Sequence, residues 1–291
     1  MTERTQAKRP RQRLMVLGAT GKLARMVRHC WAVDDATESG VTWVSRRPGD
    51  GVTTWTTAAP ARGLPRADVV IALWGVTGGS AEALARNAVL ARAAMDLADT
   101  VGADRVLHCS SAAVYGGGAQ TWSEDDPTAP RAPYGAAKVA MEAAVADWTA
   151  SHPGGPAACC LRLANVAGAD QLFAAIGRDE PLTLDRFPDR SGPARSYVAP
   201  SDLARVLADL AALPLDRLPA VLNIAGPQPV SMADIAEAAG KAMSWRPAPE
   251  TALPVMRISD ARLAALVGPL ARSASARDLA AEGLAGMAVP S

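Results

Sequence analysis

Short apolar runs alternate with longer helical stretches along the first half of the chain. Continuous apolar runs of this length are typical of strands in a parallel sheet that is covered on both faces. They fall near residues 14–17, 41–44, 69–74, 105–109 and 158–164, and the helical patterns cover about 21–33, 80–101 and 133–150. The alternation predicts an α/β fold with a doubly wound parallel sheet.

The first apolar run leads into a glycine-containing turn. The segment LMVLGATGKLA at residues 14–24 places Gly18 where a tight turn is needed and Gly21 where backbone can approach a pyrophosphate. The helix that starts near Lys22 would present free N–H groups and its positive dipole end to that pyrophosphate. Ala24 holds the last position of this G-x-x-G-x-x-A spacing, where close packing of helix on strand needs a small residue. The turn therefore predicts a dinucleotide site.

A tyrosine and a lysine follow in the third helical stretch. Tyr134 and Lys138 are four positions apart, so both side chains lie on one face of a helix, and Pro133 suits its first turn. A nearby ammonium favours the phenolate and lowers the phenol pKa from its usual value of about 10. We expect this effect to let Tyr134 exchange protons near neutral pH.

The glycine turn, the strand ending in Ser110-Ser111 and the Tyr134–Lys138 pair together resemble the extended short-chain dehydrogenase/reductase family, also called NAD-dependent epimerase/dehydratases. The likeness runs from about residue 13 to about residue 268. It implies a Rossmann-type sheet with a smaller C-terminal substrate domain. The dinucleotide-binding domain would cover 13–168 with a return segment at about 196–228, the substrate-binding part 169–195 and 229–291, and a flexible tail 1–12.

The resemblance also implies roles for individual residues. Ser111 would polarise the substrate oxygen, which makes Ser111, Tyr134 and Lys138 the expected catalytic residues. The expected dinucleotide contacts are Gly18, Thr20, Gly21, Lys22, Leu23, Leu73, Trp74, Asn87, Tyr134, Lys138 and Ala164. The expected substrate contacts are Thr77, Ser111, Tyr115, Asn165 and Arg195.

Three positions depart from the family pattern. Arg46 and Arg47 follow the second strand, where an NAD enzyme carries an acidic residue, so they favour the 2′-phosphate of NADP, although NAD stays an alternative and a solvated loop would explain them too. Ala112 and Ala113 replace an acid–base pair of the family's dehydratases, which disfavours water elimination. Trp74 would either narrow the pocket or cover the end of the sheet.

Arginines also concentrate in the predicted substrate-binding part. They are suited to bidentate binding of an anionic substrate, and interleaved acidic residues are suited to pair with them instead. The arginines are Arg178, Arg186, Arg190 and Arg195, and the acidic residues are Asp179, Glu180, Asp185 and Asp189. Arg195 is favoured for a substrate phosphate, because the family resemblance places it there.

Composition limits the remaining function classes. The 291 residues are 49% hydrophobic with a net charge of +1, which gives no general attraction to nucleic acid or a membrane. No apolar stretch is long enough to span a bilayer, so we expect a cytoplasmic protein. The four cysteines include no C-x-x-C pair and the three histidines share no ligand spacing, so no metal is expected. The two alanine-rich helical stretches at 80–101 and 133–150 suit either a homodimer contact or an intramolecular core.

We therefore expect an NAD(P)-dependent oxidoreductase that transfers hydride between nicotinamide and a small carbonyl, sugar or sugar-derived substrate. One alternative is a nucleotide-sugar epimerase with tightly bound NAD, which uses the same three residues. An alternative of another class is a non-catalytic NADP-sensing regulator, but such proteins typically lack the tyrosine that this chain keeps.

Overall fold

The computed structural model describes residues 12–33, 40–118 and 120–289. The predicted tail at 1–12 lies outside these residues except for Gln12. The strands of the described residues are β1 (Leu14–Leu17), β2 (Val41–Ser45), β3 (Val52–Thr54), β4 (Val69–Ala72), β5 (Arg105–Ser111), β6 (Thr121–Trp122), β7 (Ala157–Leu163), β8 (Asn165–Val166), β9 (Leu182–Arg186), β10 (Ala194–Arg195), β11 (Tyr197–Val198), β12 (Val221–Ile224), β13 (Val230–Ser231), β14 (Met243–Pro247) and β15 (Val255–Ile258).

Three helices match the predicted stretches closely, and five more follow in the rest of the described chain. Ser80 begins the second helix by accepting a hydrogen bond from the Ala83 N–H, and Pro133 occupies the first turn of the third, as predicted. The helices are α1 (Lys22–Val33), α2 (Ala81–Val101), α3 (Pro133–Ser151), α4 (Gln171–Ile176), α5 (Pro200–Ala212), α6 (Met232–Ala238), α7 (Ala261–Val267) and α8 (Ala276–Met287).

Seven parallel strands form the central sheet, in the order β3-β2-β1-β4-β5-β7-β12. The chain moves outward from β1 through β2 to β3 and then restarts on the other side of β1 with β4. In such sheets the crevice at the carboxyl ends of the strands where this reversal occurs is the usual ligand site. The predicted α/β fold with a doubly wound parallel sheet is confirmed, and each of the five predicted strands is present. The short strands β3 and β12 were not predicted.

Helices cover both faces of this sheet. On one face Val27 of α1 and Leu207 of α5 pack against Val16 and Ile71 of the sheet. On the other face α2 and α3 contribute Met95 and Val145 among other residues. The outward surface of α2 exposes Val89 by 60%. The packing of α2 and α3 on the sheet explains their buried alanines, and the homodimer stays a prediction.

The C-terminal part contains smaller sheets and its own apolar cluster. A four-stranded sheet has the order β13-β10-β15-β6, and two parallel pairs are formed by β8 with β11 and by β9 with β14. Phe173, Tyr197, Ile235 and Leu279 are buried together in this part. Leu263 of α7, however, packs with the central sheet. No helix in the described ranges is long and apolar enough to cross a membrane.

Candidate active site

The turn between β1 and α1 lies against the segment that follows β4. Gly18 has a φ of +91°, and a Cβ atom at this position would lie 2.9 Å from the backbone nitrogen of Trp74. The Gly21 N–H donates to the Gly18 carbonyl at 2.8 Å, which closes the turn just before α1 begins at Lys22. The first N–H groups of a helix have no partner within it and are suited to bind an anion.

Hydroxyl and guanidinium groups gather at the end of β2, beside this turn. The Ser45 hydroxyl is 3.1 Å from the Thr20 hydroxyl and accepts a hydrogen bond from the Arg47 N–H at 3.1 Å. Arg46 and Arg47 are exposed, and neither forms an ion pair with any residue that the structure describes. The donors at this end of the sheet fit a dinucleotide, with a helix N-terminus for its pyrophosphate and cations for a further phosphate.

Ser110 and Ser111 at the end of β5 face in different directions, as neighbouring strand residues do. The Ser111 hydroxyl accepts from the Ala113 N–H at 3.2 Å and thereby begins the 3₁₀ turn Ala112–Tyr115. The Ser110 hydroxyl instead donates to Glu142 on α3 at 2.5 Å. Ser111 is therefore the serine that remains at the candidate site.

The first turn of α3 packs directly on the 3₁₀ turn. A Cβ atom on Gly135 would overlap the carbonyl oxygen of Ala113, so only glycine allows this approach. The close packing brings Tyr134, the residue before it, to the end of β5. The structure thus places Tyr134 and Ser111 near one another, as the sequence predicts.

Lys138 lies one turn further along α3 and is only 2% exposed. Its ammonium donates to the carbonyl oxygen of Cys109 at 2.7 Å and lies 5.8 Å from the centroid of the Tyr134 ring. The predicted sharing of one helix face by Tyr134 and Lys138 is confirmed.

The electrostatics of Tyr134 differ from the expectation. Burial, with a smaller contribution from the Cys109 thiol, raises the pKa of its phenol to about 12, although the Ser111 hydroxyl lowers it. The expected lowering by Lys138 is wrong for the protein alone, because the buried position disfavours the phenolate and the ammonium is bonded to a carbonyl. Tyr134 is therefore protonated at neutral pH.

Two predicted contact residues are fully engaged inside the protein. Tyr115 is completely buried, with its hydroxyl donating to Asn223 and accepting from Arg162, so its predicted contact with substrate does not fit the structure. Asn87 is 2% exposed and bonds through its amide to the backbone of Val76 and Leu84. It holds the segment after β4 in place, and the predicted contact with a dinucleotide does not fit an amide whose oxygen and nitrogen are already bonded to backbone.

The remaining predicted residues are spread around the cleft. Leu73 and Ala164 are buried at the carboxyl ends of β4 and β7, and Trp74 is half-buried. Thr77 is exposed, while the Asn165 amide donates to Asp170 at 3.0 Å. Lys22 is exposed and Leu23 half-buried in the first turn of α1.

Arg195 lies on β10 and is half-buried. Its guanidinium donates to the carbonyl oxygens of Ala194 at 2.8 Å and Pro254 at 3.3 Å, and burial lowers its pKa. The predicted alternative, pairing of the arginines at 178–195 with their acidic neighbours, is not seen within the described ranges. Asp185 instead pairs with Arg246 at 2.7 Å.

Sequence reasoning missed a buried polar network behind the site, formed by Ser110, Tyr115, Glu142, Arg162 and Asn223. The sequence held one indication of this network. Glu142 follows Lys138 by four positions and therefore lies on the same face of the helix. Sequence reasoning also missed Trp55, which stacks on Trp74.

A known protein family matches more than half of this chain. The model of the NAD dependent epimerase/dehydratase family matches residues 14–179. The chain belongs to that family. It is therefore an enzyme of the extended short-chain dehydrogenase/reductase class, and the predicted resemblance is confirmed.

One curated relative is the UDP-glucose 4-epimerase of Azospirillum brasilense, 46% identical over 125 residues. That match spans 35% of this chain and 35% of the relative, so the chain matches about a third of the relative's length.

Solved structures of the family have the same fold over nearly the whole chain. MoeE5 in complex with UDP-glucuronic acid and NAD is 24% identical with a TM-score of 0.75, covering 94% of this chain and 98% of that one. UDP-glucose 4-epimerase of Thermus thermophilus in complex with NAD is 18% identical with a TM-score of 0.72, covering 95% and 99%. The NAD dependent NDP-hexosamine 5,6-dehydratase TunA is 20% identical with a TM-score of 0.74, covering 96% and 99%.

Proposed function

We propose that this family member transfers hydride between a nicotinamide dinucleotide and a carbinol or carbonyl carbon of a sugar or sugar-derived substrate. The observation that carries the proposal is the arrangement of Tyr134 and Lys138 on α3 against Ser111 and Cys109 at the end of β5. A non-catalytic regulator has no need of this arrangement.

Each of the three residues has a distinct role in this proposal. The nicotinamide supplies or accepts the hydride when it is bound. Tyr134 donates its phenolic proton to the substrate oxygen during carbonyl reduction and takes it back during oxidation. Ser111 hydrogen-bonds the same oxygen and stabilises the charge that develops on it. Lys138 fixes the end of β5 through Cys109 and would hold the nicotinamide ribose.

The high pKa of Tyr134 keeps its phenol protonated, as the acid in a carbonyl reduction has to be. A phenol with a pKa of about 12 is protonated at neutral pH and is ready to act as the acid of a reduction. Ala112 and Ala113, half-buried in the 3₁₀ turn, offer no acid–base group for water elimination. These features support a reductase or dehydrogenase over a dehydratase.

The end of β2 supports NADP as the dinucleotide. Arg46 and Arg47 are exposed and free of carboxylate partners among the described residues, as cations that bind a 2′-phosphate need to be. NAD remains the alternative, since it is the dinucleotide named with MoeE5 and with the Thermus enzyme. Arg195 would bind a phosphate of the substrate.

A second candidate is a nucleotide-sugar 4-epimerase, and the similarity to the Azospirillum enzyme favours it. Such an enzyme oxidises and then reduces the same carbon, so its dinucleotide stays bound and no net redox change occurs. Both candidates use Ser111, Tyr134 and Lys138 in the same roles.

One experiment separates the two candidates. One portion of the purified protein is denatured, and its extract is analysed for nicotinamide dinucleotides. A second, native portion is titrated with NADPH and NADH by fluorescence. Exchangeable binding with preference for NADPH, together with oxidation of NADPH by sugar-derived carbonyl compounds, is expected for the reductase. Retained NAD together with interconversion of UDP-glucose and UDP-galactose would instead identify the protein as an epimerase. Absence of any dinucleotide binding would overturn both.

A further inference from the structure

Three side chains of α3 reach the last three residues of β5. Tyr134 faces Ser111, Lys138 donates to the Cys109 carbonyl, and Glu142 accepts a hydrogen bond from Ser110 at 2.5 Å. They stand four positions apart in succession, so they form one line along the helix. Glu142 is the only one of the three for which the proposed reaction gives no role.

Glu142 is held from its other side by Arg162 of β7. The guanidinium donates to the two carboxylate oxygens through Nε at 3.1 Å and Nη2 at 2.8 Å. Its remaining nitrogen, Nη1, donates to the Tyr115 hydroxyl at 2.8 Å, and the guanidinium carbon lies 4.9 Å from the centroid of that ring. Burial alone lowers the pKa of Arg162, but pairing with Glu142 outweighs it and raises the pKa, so the cation is retained.

The same chain of bonds continues to the far edge of the sheet. The Tyr115 hydroxyl donates to Asn223 on β12 at 2.8 Å, and the Asn223 N–H donates to Glu124 at 2.9 Å. Arg162 is 6% exposed and Asn223 is fully buried. Strand β5, the 3₁₀ turn, α3, β7 and β12 are therefore joined by directional bonds in a water-poor region.

Stability alone does not account for a buried ion pair. Removing two charges from water is costly, and apolar residues of similar volume often serve a core equally well. Directional bonds do what apolar contacts do not, since they fix the register of α3 against β5. Ser110 and Ser111 are neighbours in the chain, so a bond that fixes Ser110 to Glu142 also fixes where Ser111 stands relative to Tyr134.

We propose that Glu142 and Arg162 are positioning residues of the active site, which set the distance between Tyr134 and Ser111 through Ser110 and the 3₁₀ turn. The inference rests on the proposed function of Ser111 and Tyr134. Both side chains are largely buried, with Arg162 7% and Glu142 11% exposed, and they contact Ser110 and Tyr115, so they would act through these residues and not on the substrate directly.

Two conservative variants test the proposal, and a buried arginine at the opposite end of β5 supplies the matched control. Glu142→Gln keeps the shape of the side chain, and Arg162→Lys keeps the charge but loses the fork of donors. Arg105 is 3% exposed, pairs with Asp104 and donates to the Leu210 and Leu213 carbonyls. Arg105→Lys should therefore cost similar stability without reaching the site.

Activity is the first measurement, with NADPH and the sugar-derived carbonyl compound that the wild type reduces, or with UDP-glucose if the wild type epimerises it. Because misplacement of a catalytic group costs up to about 100-fold in rate, we expect kcat of Glu142→Gln and Arg162→Lys to fall between about 10-fold and 100-fold. KM for that substrate should change less than about twofold, because the binding groups are untouched. The pH limb that reports Tyr134 should move to higher pH, since a looser Ser111 no longer lowers the phenol pKa. Arg105→Lys should show neither change.

A second measurement is independent of turnover. The chain contains three tyrosines, so tyrosine labelled with ¹³C at Cζ gives three NMR signals that single Phe variants assign. Glu142→Gln should shift the Tyr134 signal, and Arg105→Lys should leave it in place. An unshifted Tyr134 signal with wild-type kcat in Glu142→Gln would overturn the proposal and leave the pair a purely structural one.

A double variant covers the case in which the single variants do not fold. Glu142→Leu/Arg162→Met replaces the ion pair by apolar groups of similar size, a change that cores often tolerate. We expect it to fold and still to show the lowered kcat, whereas wild-type kcat in this variant would also overturn the proposal. Tyr134→Phe serves as the reference. If that variant keeps full activity, the proposed function itself fails. If it is inactive while Glu142→Gln is fully active, only the positioning role fails.

Discussion

Trp55 and Trp74 stack with ring centroids 6.2 Å apart and planes 24° from parallel, although the strands that precede them are not neighbours. Trp55 follows β3 and Trp74 follows β4, and β1 and β2 lie between those strands in the sheet. Both indoles must therefore reach inward across the ends of β1 and β2. Since the backbone of Trp74 lies against Gly18, the pair stands beside the predicted dinucleotide turn.

The first prediction uses this pair as a reporter. Binding of NADPH should quench the tryptophan emission strongly, because the reduced nicotinamide dinucleotide accepts energy from nearby indoles. Trp55→Phe/Trp74→Phe should lose a large part of that quenching while retaining binding in a direct assay. Trp148→Phe, a buried indole on α3 that donates to Asp96, is the control and should keep the quenching. Equal quenching in the two variants would place the dinucleotide elsewhere.

The second prediction concerns the choice of dinucleotide. Arg46→Ser/Arg47→Ser should raise the Kd for NADPH by about 10-fold or more, since loss of a charge-assisted contact costs roughly 1.5 kcal/mol or more. The Kd for NADH should change little. Arg62→Ser, at an exposed arginine of the 3₁₀ turn Ala61–Gly63, is the control. If both dinucleotides weaken equally, the arginines do not read the 2′-phosphate.

The third prediction tests the proton donor. Tyr134→Phe should lower kcat by about 10²-fold to 10⁴-fold, the range for loss of general acid–base catalysis. Cofactor affinity measured by titration should stay within a few-fold, because only a hydroxyl is removed. In the wild-type enzyme the oxidation rate should rise with pH toward the pKa of about 12, since oxidation needs the phenolate. A rate that falls as pH rises would contradict Tyr134 as the base.

The fourth prediction concerns the substrate anion. Arg195 is half-buried, has no carboxylate partner at ion-pair distance among the described residues, and donates to two backbone carbonyls through Nη1, so we expect its other guanidinium nitrogens to bind a phosphate. Arg195→Met should raise KM for the phosphate-bearing substrate about 10-fold with a smaller effect on kcat. Arg178→Met, at an exposed arginine of the same part of the chain, should leave KM unchanged. The reverse result would move the anion site to Arg178.

The fifth prediction concerns acid stability. Burial, with a contribution from Lys138, lowers the pKa of His108 to about 3. In the unfolded chain a histidine titrates near 6.5, so below that pH the unfolded state binds a proton that the folded state rejects. Above about pH 6.5 His108 therefore does not change the free energy of unfolding. Below that pH it lowers the free energy of unfolding progressively, by about 2 kcal/mol at pH 5.

The measurement for this prediction is urea unfolding at pH 7.5 and at pH 5. His108→Gln should reduce the loss of unfolding free energy between these two pH values, even if it is less stable at both. His29→Gln, at an exposed histidine of α1, should lose as much stability as the wild type. An unchanged pH dependence in His108→Gln would show that His108 is protonated in the folded protein.

Local patterns were enough to predict the parts of the site that depend on local geometry. Gly18 and Lys22 are set by one strand-to-helix turn, and Tyr134 and Lys138 by the spacing of one helix. The burial of Tyr115 was not predictable in this way, because its partner Asn223 is 108 residues away in sequence. The Arg162–Glu142 pair spans 20 residues and joins a strand to a helix, which no periodicity records.

The prediction of a lowered pKa for Tyr134 was wrong for a related reason. The sequence places an ammonium near the phenol, but it does not show that Lys138 is bonded to the Cys109 carbonyl or that the phenol is desolvated. Both effects arise from packing of α3 on β5, and desolvation is the larger one. The sign of a pKa shift is thus a property of the packed site rather than of a motif.

The contact of Gly135 with Ala113 has a consequence for attempts to alter the enzyme in the laboratory. Any side chain at 135 would push α3 away from the 3₁₀ turn and separate Tyr134 from Ser111. Mutant libraries that vary the first turn of α3 would therefore consist mostly of inactive members. New substrate preference is better sought at the exposed side chains of β9 and β14, which lie away from this contact.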